Sequence, residues 1–227
     1  MRKPALALLV TVLFVASCAT GKNEAYEEAP LFGMIYDEDN QPCAGVTLGL
    51  DGAVGTLETG PVTDIRGRFV LPVVRRGEHL LVARKQGYED LSLKVTILNR
   101  TDVLFLRMIS FNQLLAKAEK SMEDRKWDLA RELLERAGKL NSGDSVLLYL
   151  QAVRSYKTAN YLDAVGYLNA ILDKGIVEPI VYLLLADIYE KKLNEQAKAV
   201  ENLRAYLEKR ADCDVEKRLS ELKAIQK

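Results

Sequence analysis

Residues 145–173, SVLLYLQAVRSYKTANYLDAVGYLNAILD, decide how the second half of this 227-residue chain folds, because their landmarks return at one interval. Ala152 stands thirty-four residues after Ala118 and thirty-four before Ala186, Tyr161 answers Trp127, Ala164 answers Ala130 and Leu168 answers Leu134. A period in this range marks stacked helical hairpins, none of which buries its apolar face alone, so the segment is expected to form a small solenoid whose output is binding.

Working outward from that stretch, the helical period predicts pairs over 111–124 and 127–139, 145–158 and 161–173, and 179–191 and 195–209. A final amphipathic helix over 214–225 aligns Val215, Leu219, Leu222 and Ile225 on one stripe. Ser142-Gly143-Asp144-Ser145 offers a helix stop and an N-cap, and Pro179 suits a first helical turn.

The spacing and side-chain chemistry resemble tetratricopeptide repeats. The resemblance implies that a small residue on each first helix (Ala118, Ala152, Ala186) faces one on each second helix (Ala130, Ala164, Ala199), with Trp127 or Tyr161 wedging the turn. The family proline after the second helix is missing, the late small position is Ala137 but then Ile171 and Tyr206, and the third repeat carries one extra residue before Ala199. The last helix resembles the solvating cap such arrays require. The resemblance also implies a protein- or peptide-binding groove along the exposed faces of the first helices. Its lining would be Asn112, Leu115, Glu119 and Glu123, then Val146, Tyr149, Val153, Tyr156 and Lys157, then Leu183, Asp187, Glu190 and Lys191. Tyr149 and Tyr156 are the expected anchors, since aromatics give large contact area at small entropy cost; the alternative is that they only pack between repeats. Leu115 and Glu119 stand where chaperone-binding members place Lys and Asn, so a clamp for a terminal carboxylate is not expected.

From Leu31 to about Met108 short apolar runs are divided by glycine and turn residues, which predicts strands over 32–37, 45–50, 67–74, 78–84, 91–97 and 102–107, with a weaker one over 56–63. Such spacing favours an antiparallel β-sandwich. Turns are expected at Asp39-Asn40-Gln41-Pro42, at Asp64-Ile65-Arg66-Gly67 with Gly67 at positive φ, and at Arg75-Arg76-Gly77. Phe69 and Leu71 should share a face, and Val70, Val73, Leu80 and Val82 are assigned to the core. Gly33-x-Ile35-x-Asp37, Gln41-Pro42-x-x-Gly45-Val46, Thr63-Asp64-x-x-Gly67-x-Phe69-x-Leu71, Gly77 and Gly87-Tyr88 together resemble the carboxypeptidase regulatory-like domain, a transthyretin-like sandwich. The resemblance implies a non-catalytic module that accompanies peptidases and envelope proteins. Asp51 to Gly60 departs from it, being rich in glycine and threonine.

At the N-terminus, Arg2 and Lys3 precede an apolar run from Ala5 to Val15, the pattern of a secretion signal too short to span a membrane. Val15-Ala16-Ser17-Cys18 resembles a bacterial lipobox, which implies removal of residues 1–17 and a diacylglycerol on Cys18; ordinary cleavage after Ala19 without lipid is the alternative. Residues 18–30 carry clustered acid without apolar periodicity and are expected to be a flexible tether, followed by the β-sandwich over 31–109 and the helical repeats over 110–227. Ala19 after the cysteine is not the inner-membrane retention residue, which favours the outer membrane of a two-membrane envelope.

Composition narrows the chemistry. Acids and bases balance at 32 each, and loss of the signal leaves a net charge of −2, which argues against nucleic acid. His79 is the single histidine, so a zinc site lacks ligands, and the cysteines show no CxxC spacing. Cys43 and Cys213 fall in different segments and are not expected to pair. No phosphate loop appears, and Glu27-Glu28 and Glu89-Asp90 are read as solvated charge. The expectation is a non-catalytic adaptor with no cofactor beyond the acyl lipid, anchored to an envelope membrane and of undetermined oligomeric state. An accessory subunit of an envelope peptidase or assembly machine, and a glycan-binding sandwich, are the alternatives.

Overall fold

The computed structural model describes residues 28–51, 60–99, 101–176 and 178–225. The signal sequence, Cys18 and most of the expected tether lie outside them, as does the first half of the weak strand expected over 56–63. The first part is β-rich, with six strands among the described residues: β1 (Glu28–Asp37), β2 (Thr47–Leu50), β3 (Arg68–Arg75), β4 (Gly77–Arg84), β5 (Leu91–Ile97) and β6 (Val103–Met108). They form two small sheets, ordered β3-β1-β6 and β2-β4-β5. Strand β1 begins three residues inside the stretch expected as tether, with Glu28 and Ala29 paired to Arg75 and Val74.

One core joins the two sheets. Leu31, Ile35, Phe69, Leu71, Val74 and Leu106 come from the first, Leu48, Leu81, Ala83, Val95 and Ile97 from the second. The expectation of an all-antiparallel arrangement is corrected at one place, since β6 runs parallel to β1 from Phe32↔Val103 to Asp37↔Met108. Parallel neighbours need a crossover, which here carries the chain out through the second sheet and back.

Four residues assigned to the core are corrected: Val70, Val73 and Leu80 are exposed, and Val82 is only half-buried. Strand side chains alternate faces, so burying Phe69 and Leu71 sends Val70 outward, and burying His79, Leu81 and Ala83 does the same to Leu80. The phase then shifts between Leu71 and Val74, opposite the register irregularity between Ala29 and Leu31.

The expected turns form. Asp37 accepts hydrogen bonds from the amides of Asp39 and Gln41, with Asn40 in the left-handed region. Asp64 accepts from the amides of Arg66 and Arg68 while Gly67 sits at φ 73°. A β-carbon at Gly67 would come within 2.4 Å of the Ile35 carbonyl oxygen, so this turn admits no side chain. His79 is buried at the start of β4, its ring nitrogens 3.0 Å and 2.7 Å from the carbonyls of Asp51 and Arg75.

Seven helices follow among the described residues: α1 (Phe111–Glu123), α2 (Trp127–Leu140), α3 (Ser145–Lys157), α4 (Tyr161–Leu172), α5 (Pro179–Lys191), α6 (Gln196–Leu207) and α7 (Cys213–Ile225). Their spans match the sequence expectation to within two residues at each end. Ser110 caps α1 reciprocally with Gln113, Asp144 caps α3 through the amides of Val146 and Leu147, and Pro179 opens α5. The helices pack as consecutive pairs, α1 with α2, α3 with α4 and α5 with α6. Ala118, Ala130, Ala152, Ala164, Ala186 and Ala199 are all fully buried, which lets paired helices approach closely. Ile171 and Tyr206, which replace the small residue Ala137 in later repeats, are buried too, and the Tyr206 hydroxyl bonds to Asp212 in the turn before α7. On α7, Val215, Leu219 and Leu222 enter the core as expected; the side chain of Ile225 lies outside the described residues.

Sheets and helices are joined without a spacer. The amide of Phe111 donates to Gly87 O and that of Glu89 to Ile109 O. Glu89 also receives two hydrogen bonds from the Arg136 guanidinium on α2, at 2.9 Å and 2.6 Å. Glu38 and Asp39 reach Lys117 and Gln113 on α1. The reading of Glu89-Asp90 as solvated charge is corrected for Glu89, which is half-buried and pairs with Arg136, and holds for Asp90, which stays exposed beside Arg84.

Candidate peptide-binding surface

The first helix of each hairpin offers one row of side chains at each repeat position, and the rows differ in chemistry. Near the helix starts stand Asn112, Val146 and Ile180, then Leu115, Tyr149 and Leu183; near the ends stand Glu123, Lys157 and Lys191. Asn112, Glu119 and Glu123 are exposed on α1, whereas Leu115 is buried in the first-repeat core and offers no surface.

The structure brings Tyr149 into a concavity of about 290 Å³ between the starts of α3 and α5. Val146, Ile171, Ile176, Ile180 and Val181 supply its apolar walls, and Ser145 and Glu178 its polar edge. Val146 and Ile180 are 54% and 49% exposed, high for large aliphatic side chains, and they stand thirty-four residues apart on either side of the opening. The Tyr149 ring is half-buried. Its hydroxyl has no hydrogen-bond partner among the described residues, and burial pushes the phenol pKa up from its usual value.

Tyr156 is placed differently. Its ring meets Tyr161 at 6.0 Å between centroids, tilted by 57°, with the Lys192 ammonium 5.9 Å from one ring and 5.7 Å from the other. It packs on Tyr161 within its own hairpin and faces Lys192 after α5. Val153 is half-buried and Lys157 exposed beside it.

In the third repeat, Asp187 and Glu190 are half-buried and both are held by Arg218 from α7, at 2.6 Å and 2.5 Å, while Lys191 pairs with Asp187 at 3.1 Å. Burial works against the Arg218 charge, but Glu190 and Asp187 more than offset it and raise its pKa. The capping helix thus occupies the carboxylates expected to line the groove. Of the expected lining, Val146 and Tyr149 come together in an open cleft, and Asp187, Glu190 and Lys191 come together in an ion cluster. Ile171, Ile176, Ile180 and Val181 were missed by sequence reasoning, though the interval from Val146 to Ile180 was there to find it.

A second, polar concavity of about 230 Å³ lies between α2, α3 and α4, where Arg131, Glu135, Gln151, Arg154, Asp163 and Tyr167 meet. Among the described residues no group of three or more His, Cys, Asp or Glu side chains is arranged to hold a metal ion. Cys43 and Cys213 are free, the first buried and the second exposed. No described helix is long and apolar enough to cross a membrane.

No family model matches the sequence, and no curated protein matches it. Solved structures with partial likeness include the first TPR domain of Spaghetti (RPAP3) bound to the HSP90 peptide SRMEEVD, at 14% identity and TM-score 0.47 over 51% of this chain and 92% of that one. The Yersinia enterocolitica type III secretion chaperone SycD, in complex with a peptide of the translocator YopD, is 21% identical with TM-score 0.44 over 51% and 91% of the two chains. The Arabidopsis OM64 TPR domain is 17% identical with TM-score 0.43 over 49% and 93%.

Proposed function

We propose that this protein is a lipid-anchored component of a bacterial cell envelope that acts without catalysis as an adaptor, holding a protein segment on its helical repeats. The observation that carries the reading is the cleft between α3 and α5. Val146 and Ile180 are left in contact with water at its mouth, and the half-buried Tyr149 presents a hydroxyl with no hydrogen-bond partner among the described residues. A bound segment with an apolar side chain covers the aliphatic walls, and a polar atom beside that side chain satisfies the tyrosine. The N-terminal half is then a transthyretin-like β-sandwich that positions the array, and Cys18 carries the lipid, with the outer membrane as its destination where the host has two.

Display of random peptides against the purified chain tests the cleft. Selected sequences should share a large apolar residue, and Ile180→Glu should weaken their binding by a factor of ten or more. Selection of peptides indifferent to Ile180 and Tyr149 would remove the cleft from the proposal. Replacement of Cys18 by Ser should abolish incorporation of a clickable fatty acid.

A further inference from the structure

The outward face of the β3-β1-β6 sheet is apolar where a sheet exposed to water is ordinarily polar. Its pairing puts Val70, Phe32 and Val103 in one cross-strand row and Arg68, Met34 and Phe105 in the next. Phe105 is 70% exposed, and Val62 beside the sheet 56%. Phe32, Val62, Val70 and Val103 line one open concavity of about 590 Å³. The one acid and one base lining it neutralise each other, Arg68 to Asp64 at 2.8 Å. Contiguous apolar surface of this kind marks an interaction site.

The route of the chain selects the occupant. Nine residues separate Cys18 from Glu28, and Glu28 begins β1, the middle strand of this sheet and not of the other. Ten peptide steps extend to at most about 35 Å and as a coil average roughly 20 Å. A lipid on Cys18 therefore keeps this sheet within reach of the bilayer at an effective concentration in the millimolar range, where even feeble interfacial affinity of its apolar face keeps that face engaged. We infer that the outer face of the β3-β1-β6 sheet rests on the lipid surface, with Phe32 and Phe105 seated at the headgroup boundary. The inference rests on the lipid anchor of the proposed function. Aromatic and aliphatic side chains favour that boundary without help from charge. Arg68 is already neutralised and Arg107, in the row after Phe105, is hydrogen-bonded to Asp37 O and Asn40 Oδ1, so engagement rests on the apolar side chains, needs no anionic lipid and resists salt.

The acylated full chain, with Phe105→Trp in a Trp127→Phe background, is reconstituted in phosphatidylcholine vesicles carrying brominated acyl chains. Quenching should roughly halve the emission of the tryptophan at 105, equally at low and at molar salt, and leave Trp127 of the parent untouched. Full emission from position 105, on a chain whose acyl group is verified by mass spectrometry, overturns the inference while the anchor stands. If no acyl group is found, the anchor reading fails, and a chain held by an N-terminal histidine tag on nickel-chelating lipid puts the face to the same quenching test. A concentration-dependent dimer that is abolished by Phe105→Ser, with position 105 unquenched on vesicles, assigns the face to a second copy and also overturns the inference.

Discussion

Arg125 and Ala159, thirty-four residues apart, both hold the left-handed backbone conformation, at φ 59° and 63°. Each sits in the turn between the two helices of its hairpin, and Asn194 does the same in the third repeat at φ 55°, one residue late. Side chains with a β-carbon resist this conformation, and Arg and Ala lack the local hydrogen bonding that lets Asn adopt it. Ala159→Gly and Arg125→Gly should therefore each stabilise the chain by about 0.5–1 kcal/mol, less than the full relief of strain because glycine also frees the unfolded chain. Urea denaturation of the variants checks this; a loss of stability at both positions would contradict it.

Close helix approach depends on the buried alanines. Ala152→Leu should cost about 1–3 kcal/mol by overpacking the contact between α3 and α4, whereas Ala116→Leu on the exposed face of α1 should be nearly neutral. Thermal unfolding of the pair separates packing from helix propensity, because leucine and alanine are both good helix formers.

The two expected anchor tyrosines should behave oppositely. Tyr156→Ala removes a ring that packs on Tyr161 and should lower the melting temperature while leaving peptide affinity close to that of the parent. Tyr149→Phe keeps the cleft shape and deletes the unpartnered hydroxyl, so affinity should fall severalfold with stability unchanged or raised. Titration calorimetry with a selected peptide reads both.

Acid should loosen the junction between sheets and helices. The Arg136 hydrogen bonds hold the Glu89 carboxyl below the usual glutamate range, so the pair contributes fully above the unfolded value, about pH 4.3, and is lost as pH falls through the lower folded value. Hydrogen exchange at the amides of Glu89 and Phe111, corrected for the intrinsic rate at each pH, should accelerate below that pH. Glu89→Gln should show the faster exchange already at pH 7.

The helical spans, the buried alanines and the caps Asp144 and Pro179 were legible because each is encoded within a few residues. The choice of inward face on β3 and β4 was not. In Phe69-Val70-Leu71-Pro72-Val73-Val74 both alternations are apolar, so period two yields two equivalent answers, and the apolar outer face is itself the reason. Three features were invisible to local pattern because their partners are distant in sequence: the parallel pairing of β1 with β6, the Glu89–Arg136 bond and the reach of Arg218 onto Asp187 and Glu190. Of the candidate groove, the sequence interval located Val146 and Tyr149, but the depth of the cleft comes from Ile171, Ile176 and Val181, whose relation to Tyr149 exists only once the hairpins stack.

The parallel alignment of β1 and β6 also fixes how the molecule bears tension. Chain enters β1 at Glu28 and leaves β6 for α1 at the far end, past the pair Asp37↔Met108. A pull between those two points drags the strands lengthwise past each other, so the ladder from Phe32↔Val103 onward is stretched all at once instead of being peeled rung by rung. The arrangement resists tension applied between the start of the first sheet and the helices that follow it.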